Sequence, residues 1–331
     1  MIQHPAILAL TVASLLTAGM LLYAGWYGTR ILEKWDLHSG SERQLDLERR
    51  TYLISVILNY TLFFQIASLF LYIFTADNLH SQFTGAMCAA GSLSVNSYGY
   101  PVLILKIFNC LLAGVWLIVN HVDTRGYDYP LIKTKYGLLN ILVPLVLLEV
   151  VFQFVYFFNL KADVITSCCG SLFSTDKHSI AGEIAGLPNG PMRLAFFVVM
   201  VATMASGAYV YLKGKGSYVF SIISSLTFLI SAASLVSFIC LYFYELPSHH
   251  CPFCILQKEY GYIGYALYAT LLGGAISGLG VGILTPFSAG TSLSRIIPVI
   301  RQRLTALTLI LYLLFTLIVV WRMLSTSFTL G

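Results

Sequence analysis

Long apolar runs, separated by short polar breaks, set the rhythm of this chain. Eight stand out, at about 5–27, 51–75, 101–120, 138–159, 193–212, 218–244, 260–281 and 304–323. Each approaches the ~20 residues needed to cross a hydrocarbon core ~30 Å thick. Inside such a core the backbone must satisfy its own hydrogen bonds, so each run predicts a helix. A β-barrel would alternate apolar and polar positions over ~10-residue segments, and this chain does not. The pattern therefore predicts an all-α polytopic membrane protein with about eight transmembrane helices. The first run lacks a basic leading segment and an Ala-x-Ala site, and a basic amphipathic stretch follows it. It reads as a retained anchor rather than a secretory signal. The seventh is rich in glycine (Gly261, Gly264, Gly273, Gly274, Gly278, Gly280), which permits close helix contact. The eighth carries few polar residues and no cysteine, and is expected at the periphery.

Composition agrees. The 331 residues are 58% hydrophobic and 10% charged, with mean hydropathy +0.81, whereas soluble domains carry roughly 25% charged residues. A net charge of +5 is no argument for nucleic acid here; the placement of Lys and Arg matters more. Arg30, Lys34, Arg43, Arg49 and Arg50 follow the first run. Arg125, Lys133 and Lys135 follow the third, Lys213 and Lys215 the fifth, and Arg295, Arg301 and Arg303 the seventh. The alternate breaks hold only Lys161, Lys177, Arg193, Lys258 and Arg322. The basic side is expected to be cytoplasmic, with both termini on the other side. A bacterial inner (plasma) membrane is the expected location, with lipid as the first partner.

On that map Cys88, Cys168, Cys169, Cys251 and Cys254 fall in outer breaks or at outer helix ends. Cys110 and Cys240 lie within runs and read as small buried hydrophobes. Thiols in an oxidising compartment form disulfides, exchange them or bind metals. Two outer hairpins look like a weak repeat. Cys88 is followed by Gly91-Ser92-Leu93 and Cys169 by Gly170-Ser171-Leu172, and each segment ends in a Gly-x-Pro turn, at Gly99 and Gly186. The third hairpin, His249-His250-Cys251-Pro252-Phe253-Cys254-Ile255-Leu256-Gln257-Lys258, is the sharpest signal. A Cys-x-x-Cys opening a helix would place the first thiol at a positive dipole end, which favours thiolate. Pro252 would suit the first turn. A structural disulfide also fits, and so does a metal site from His249, His250, Cys251 and Cys254; the two-residue spacing alone does not choose.

The run Cys251 to Lys258 resembles the bacterial disulfide-bond protein B family, where Cys-x-x-Cys precedes Gln or Glu and a basic residue. That family oxidises a thioredoxin-like partner and passes the electrons to a quinone. The overall arrangement is closer to the related vitamin K epoxide reductase family. There, loop cysteines lie between the first two helices of a four-helix bundle and Cys-x-x-Cys opens the fourth. Runs four to seven reproduce that order, and Gly186-Leu187-Pro188-Asn189 resembles the family's Gly-Ile-Pro-Asn turn. The resemblance covers about 138–281 and implies three regions. These are a three-span segment 1–137 with the Cys88 loop, a redox-like bundle 138–281, and a cytoplasmic loop with a last span, 282–331. It implies Cys251 and Cys254 as the quinone-side pair, Cys169 with Cys168 as the shuttle, and Asn189, Gln257 and Lys258 as quinone contacts. The family's loop cysteines are normally separated, whereas Cys168 and Cys169 are adjacent; Cys88 is the obvious alternative partner.

Ionisable residues inside spans are costly and default to functional hypotheses. Lys106 and Glu149 are such residues, either an interhelical ion pair or part of a proton path toward the outer site. Antiparallel runs three and four would put Glu149 level with Cys110, and Lys106 nearer Gln153. Gln65 and Asn59 line one side of run two. The remaining histidines (His4, His38, His80, His121, His178) form no facing pair within spans, which argues against a bis-histidine haem. Tyr242, Tyr244, Tyr260 and Tyr262 flank the Cys-x-x-Cys as interfacial aromatics or walls of a quinone pocket. The leading expectation is a membrane thiol–disulfide oxidoreductase that relays electrons between an outer-side thiol protein, thioredoxin-like or other, and a quinone. Its rivals are a soft-metal-handling membrane protein and a structural subunit of a larger complex.

Overall fold

The computed structural model describes residues 4–36, 41–126, 128–161, 164–166, 173, 180–288 and 292–328. Among these residues there is no strand, and the helices are α1 (Pro5–Lys34), α2 (Glu42–Asn78), α3 (Ala89–Leu93), α4 (Gly99–Asp123), α5 (Ile132–Phe158), α6 (Ile180–Ala185), α7 (Asn189–Lys213), α8 (Ser217–Ser234), α9 (Ile263–Leu284) and α10 (Ile296–Ser325). Helix α8 continues through a π-helical turn, Leu235–Ile239, into a last helical turn, Cys240–Tyr244. Eight of these helical stretches are long and apolar enough to cross a membrane. They leave large apolar side chains such as Leu16, Phe63, Leu212 and Leu229 on the surface. A water-soluble fold would bury such stripes; a lipid-facing one exposes them. The chain fits an integral membrane protein.

Several helices begin before their apolar runs. Helix α2 starts at Glu42 rather than about 51, α5 at Ile132 rather than about 138, and α10 at Ile296 rather than about 304. The added turns carry charged residues such as Arg49, Lys133 and Arg303, which break an apolar run without breaking a helix. Lys135 is a special case. It belongs to α5, is fully buried, and pairs with Asp123 at 2.6 Å, so it is not a loop cation.

By its contacts the chain divides into two compact units: Met1–Ile73, Asn96–Leu160 and Pro286–Ile300 form one, and Phe74–Val95, Lys161–Thr285 and Arg301–Gly331 the other. This grouping follows contacts rather than chain order, so it draws its lines elsewhere than at 137 and 281. Helix α5 falls with α1 and α4, and most of α10 falls with α7, α8 and α9.

In the first unit α5 packs against both α1 and α4. Ala18, Leu21, Leu58, Leu62, Trp116, Leu139 and Leu142 form its apolar core. In the second unit the small side chains of α8 meet the glycines of α9. Ser217, Ser221, Ser224, Thr227, Ser231, Ser234 and Ser237 are all buried. A Cβ on Gly278 would lie 2.1 Å from Ser224 Oγ, so only glycine lets the two backbones approach this closely. Helix α10 is built into this unit rather than peripheral to it. Tyr312 and Phe315 are fully buried, the Tyr312 hydroxyl donates to the Ser224 carbonyl at 2.9 Å, and Thr308 donates to Ser277 at 3.0 Å.

Candidate functional site

Three cysteines of the second unit meet at one place. Cys88 follows the end of α2 and opens α3, while Cys251 and Cys254 lie in the loop between α8 and α9. These segments are far apart in sequence, yet Cys88 Sγ and Cys251 Sγ are 3.6 Å apart. The sulfurs of Cys88, Cys251 and Cys254 all lie within 4.8 Å of one another, and all three residues are buried. A disulfide bond is ~2.05 Å long, so Cys88 and Cys251 are in contact and unbridged. His249 Nε2 sits 3.4 Å from Cys254 Sγ.

The local backbone explains how the loop reaches this place. Helix α8 stops at Glu245, and α9 is preceded by Gly261 and Tyr262; all three have positive φ, at 57°, 62° and 57°. Left-handed residues end helical hydrogen bonding, so they bracket an irregular loop instead of letting one helix run on. Within it, Cys254–Leu256 and Lys258–Tyr260 form single 3-10 turns. This corrects the expectation that the Cys-x-x-Cys opens a helix. Helix α9 begins at Ile263 and Pro252 occupies a bend, so Cys251 does not sit at the N-terminus of α9.

What holds the sulfurs is a set of side chains gripping backbone. The Tyr244 hydroxyl donates to the Cys251 carbonyl at 2.5 Å and accepts from the Ile255 N–H at 2.9 Å. The Tyr268 hydroxyl donates to the Pro252 carbonyl at 2.5 Å. His250 Nδ1 lies 2.9 Å from the Val236 carbonyl in the π-helical turn; a carbonyl only accepts, so Nδ1 carries the hydrogen. On the other side of the site, Asp77 Oδ1 accepts from the N–H of Ala89, next after Cys88, at 3.0 Å. The Gln257 amide donates to the Met87 carbonyl, just before Cys88, at 2.9 Å and to Asp77 Oδ1 at 3.2 Å. Asp77 and Gln257 thus clamp the peptide groups on both sides of Cys88. His249 stacks edge-on against Tyr244 at 4.6 Å, and Tyr260 against Tyr244 at 4.9 Å. Partial burial, followed by the nearby Cys254 and Glu259, holds the Tyr260 phenol above its usual range.

Cys168 and Cys169 lie outside the described residues. Described neighbours on either side do touch the site. The Thr166 N–H donates to the Thr84 carbonyl at 2.9 Å, and the rings of Phe173 and Phe253 are 6.4 Å apart. Gly85 makes the first contact possible: its φ is +87°, and a Cβ there would sit 2.4 Å from the Thr166 carbonyl oxygen.

The other expected residues are distributed as follows. Gln257 spends its amide on the clamp. Lys258 lines a cleft of ≈ 370 Å³ together with Phe74, Met87, Leu256 and Tyr262. Asn189 is the first residue of α7 and takes no part in the hydrogen bonds that hold the sulfurs. Cys110 and Cys240 are buried within helices. Asp77, Tyr268 and the gripping role of Tyr244 were not foreseen. Asp77 left a readable signal, an acid at the end of an apolar run; the tyrosines did not stand out among 21.

Lys106 and Glu149 belong to the first unit. They form a buried ion pair at 2.6 Å, and Glu149 also accepts from Gln65 at 2.7 Å and Asn109 at 2.6 Å. The interhelical ion pair expected of Lys106 and Glu149 is present; the ammonium reaches Glu149 and not Gln153. A lysine stem spans more than a helical turn, which gives its ammonium the reach to find the acid. Gln153 instead donates to Ser14 Oγ on α1 at 2.8 Å. Asn120 donates to Asn59 at 3.0 Å.

Comparison with known proteins finds no matching family model, no matching curated protein and no matching solved structure.

Proposed function

We propose that this chain is a membrane thiol–disulfide oxidoreductase relaying electrons from dithiols to a quinone. The single observation that carries the reading is the 3.6 Å contact between Cys88 Sγ and Cys251 Sγ, with Cys254 beside them. Exchange needs a thiolate within reach of a disulfide sulfur, and these three sulfurs meet that requirement. In the relay, the Cys88 thiolate attacks Cys251 of an oxidised Cys251–Cys254 pair and releases the Cys254 thiolate. A second loop thiol, assigned to Cys169 by the family resemblance, then attacks Cys88. That closes a loop disulfide and frees Cys251. Cys251 and Cys254 pass two electrons and two protons to the quinone and reclose; an external dithiol reduces the loop disulfide. The net change is one dithiol oxidised and one quinone reduced.

The likeness to the vitamin K epoxide reductase and disulfide-bond protein B families supports this reading, with one change of part: Cys88 becomes the residue that meets Cys251. The cleft beside Lys258 mixes Phe74, Met87, Leu256 and Tyr262 with Asp77, His80, Gln257 and Glu259; in this reading a quinone ring rests on the apolar side chains, with Lys258 toward one of its oxygens. Under the same proposal the cysteine loops face the non-cytoplasmic side of a bacterial plasma membrane, where a thioredoxin-like protein would be the dithiol donor. The distribution of Lys and Arg supports that orientation. The test is Cys254→Ser in proteoliposomes. Quinone-linked dithiol oxidation is expected to stop, and a Cys88–Cys251 disulfide to accumulate on mass spectrometry. Unchanged turnover in this variant removes the proposal.

A further inference from the structure

We infer that the reduced cluster of Cys88, Cys251 and Cys254, completed by His249, is a binding site for a thiophilic divalent cation of the Zn2+ class. This goes beyond the relay and does not need it. It requires only that the three sulfurs be reduced at the same time.

The geometry points to it directly. Tetrahedral zinc with Zn–S of ~2.3 Å and Zn–N of ~2.0 Å sets ligand-to-ligand edges of roughly 3.8 Å between sulfurs and 3.5 Å from sulfur to nitrogen. The Cys88–Cys251 edge is 3.6 Å and the Cys254–His249 edge is 3.4 Å. The remaining sulfur edges lie within 4.8 Å and need close by only about 1 Å to meet one ion; His249, which touches Cys254 but is not part of that compact trio, swings toward Cys88 and Cys251 to become the fourth ligand. Three soft sulfurs and an imidazole are a donor set that selects thiophilic metals over Mg2+ or Ca2+.

The ligand set differs from the one the sequence suggested. His250 was grouped with His249, Cys251 and Cys254, but its Nδ1 holds the Val236 carbonyl, and Cys88 takes its place among the donors. The supporting shell is already built. Tyr244 and Tyr268 hold the carbonyls of Cys251 and Pro252, while Asp77 and Gln257 fix the peptides around Cys88. A preset backbone of this kind lowers the cost of ordering the ligands. His249 is half-buried whereas the sulfurs are buried, so the imidazole side is the route in. Binding one Zn2+ by three thiols and a neutral imidazole releases three protons and transfers no electrons. A cluster so loaded is unavailable for disulfide exchange, so metal and oxidant compete for the same sulfurs.

The test uses Co2+ as an optical stand-in for Zn2+, added to the full-length protein in detergent after reduction with a phosphine, with no quinone or dithiol substrate present. The expected result is a thiolate-to-cobalt charge-transfer band with tetrahedral d–d bands, bleached by one equivalent of Zn2+. Cys88→Ser is expected to remove at least one thiolate from the spectrum, and His249→Ala to weaken binding by at least ~10-fold, the lower end expected for disturbing a metal's ligand environment. Because a cysteine variant could fail to fold, the wild-type protein carries its own control. Diamide oxidation must abolish the band and phosphine must restore it. An octahedral spectrum, a band that survives diamide, or full binding by a folded Cys88→Ser protein overturns the inference. None of these readouts involves quinone turnover, so failure here leaves the relay standing, and failure of the relay leaves this site standing.

Discussion

The two compact units solve the problem of polar groups in an apolar chain in opposite ways. In the first, charge meets charge through side chains. Lys106 and Glu149 pair at 2.6 Å and Lys135 and Asp123 at 2.6 Å, all four essentially buried. Glu149 takes three donors, so its acceptor capacity is largely spent. In the second, hydroxyl, amide and carboxylate side chains grip backbone around the cysteines, and the sulfurs face one another. Saturation makes a polar group inert, whereas gripping the backbone positions a side chain and leaves its reactive atom available. Under the proposed function, the first unit's ion pairs are structural and the second unit's loop carries the chemistry.

The sharpest way to break that contrast is to remove one charge from the first unit. Glu149→Leu strands the Lys106 ammonium in an apolar interior, and breaking a buried pair typically costs ~3–5 kcal/mol. A large loss in denaturation midpoint is expected, with most of it restored in Glu149→Leu/Lys106→Met, because two apolar groups leave nothing unpaired. If the double variant is as unstable as the single one, the pair is more than mutual neutralisation, and the proton-path reading of these residues regains force.

A smaller loss is expected from Tyr244→Phe in the second unit. It leaves the Cys251 carbonyl and the Ile255 N–H without their partner, at a cost of ~1–3 kcal/mol for stranded buried groups. The more telling effect is local. Under diamide, the Cys88–Cys251 disulfide should form more slowly than in wild type, as mass spectrometry of the linked peptides would read. Gln257→Ala comes next. It gives up about 1 kcal/mol of hydrogen bonding but loosens Cys88 against Cys251, and misplacement of reacting atoms slows reaction far more than it weakens a fold. Slow cross-linking with a nearly unchanged denaturation midpoint is the expected signature. An unchanged cross-linking rate would show that the clamp around Cys88 is idle.

Much of this architecture was readable before any coordinates. The eight apolar runs mark the eight membrane-length helices, since span length and helical backbone are both forced by the hydrocarbon. Helix starts were less legible. Charged first turns such as Lys133–Lys135 look like loop, and only the burial of Lys135 beside Asp123 reveals helix. The Lys106–Glu149 pair was one of two readings open from sequence, while the Gln65 and Asn109 donors that complete it depend on tertiary contact, which residue spacing does not encode. At the site, cysteine placement singled out Cys88, Cys251 and Cys254, but their convergence is a matter of tertiary contact over 163 positions. The irregular loop was missed because Cys-Pro reads locally as a helix start, while the left-handed turn at Gly261 and Tyr262 that postpones α9 has only a glycine to announce it.

The smallest expected effect concerns Tyr260, where the second unit's loop meets water. Its phenol is held above the ordinary value of 10.0, first by desolvation and then by Cys254 and Glu259. The folded protein therefore keeps this proton at pH values where an unfolded chain begins to lose it. Any stability linked to the group is fully present below pH ~10 and declines as pH rises through the folded value, because the unfolded state ionises first. The difference in alkaline ultraviolet titration between wild type and Tyr260→Phe isolates this one phenol, and its midpoint should lie above that of a free tyrosine. An ordinary midpoint would mean that the ring is as wet as any surface tyrosine and does not stay packed on Tyr244. The aromatic wall beside His249 would then be looser than the clamp around Cys88, and the second unit's rigidity would rest on its grips to backbone alone.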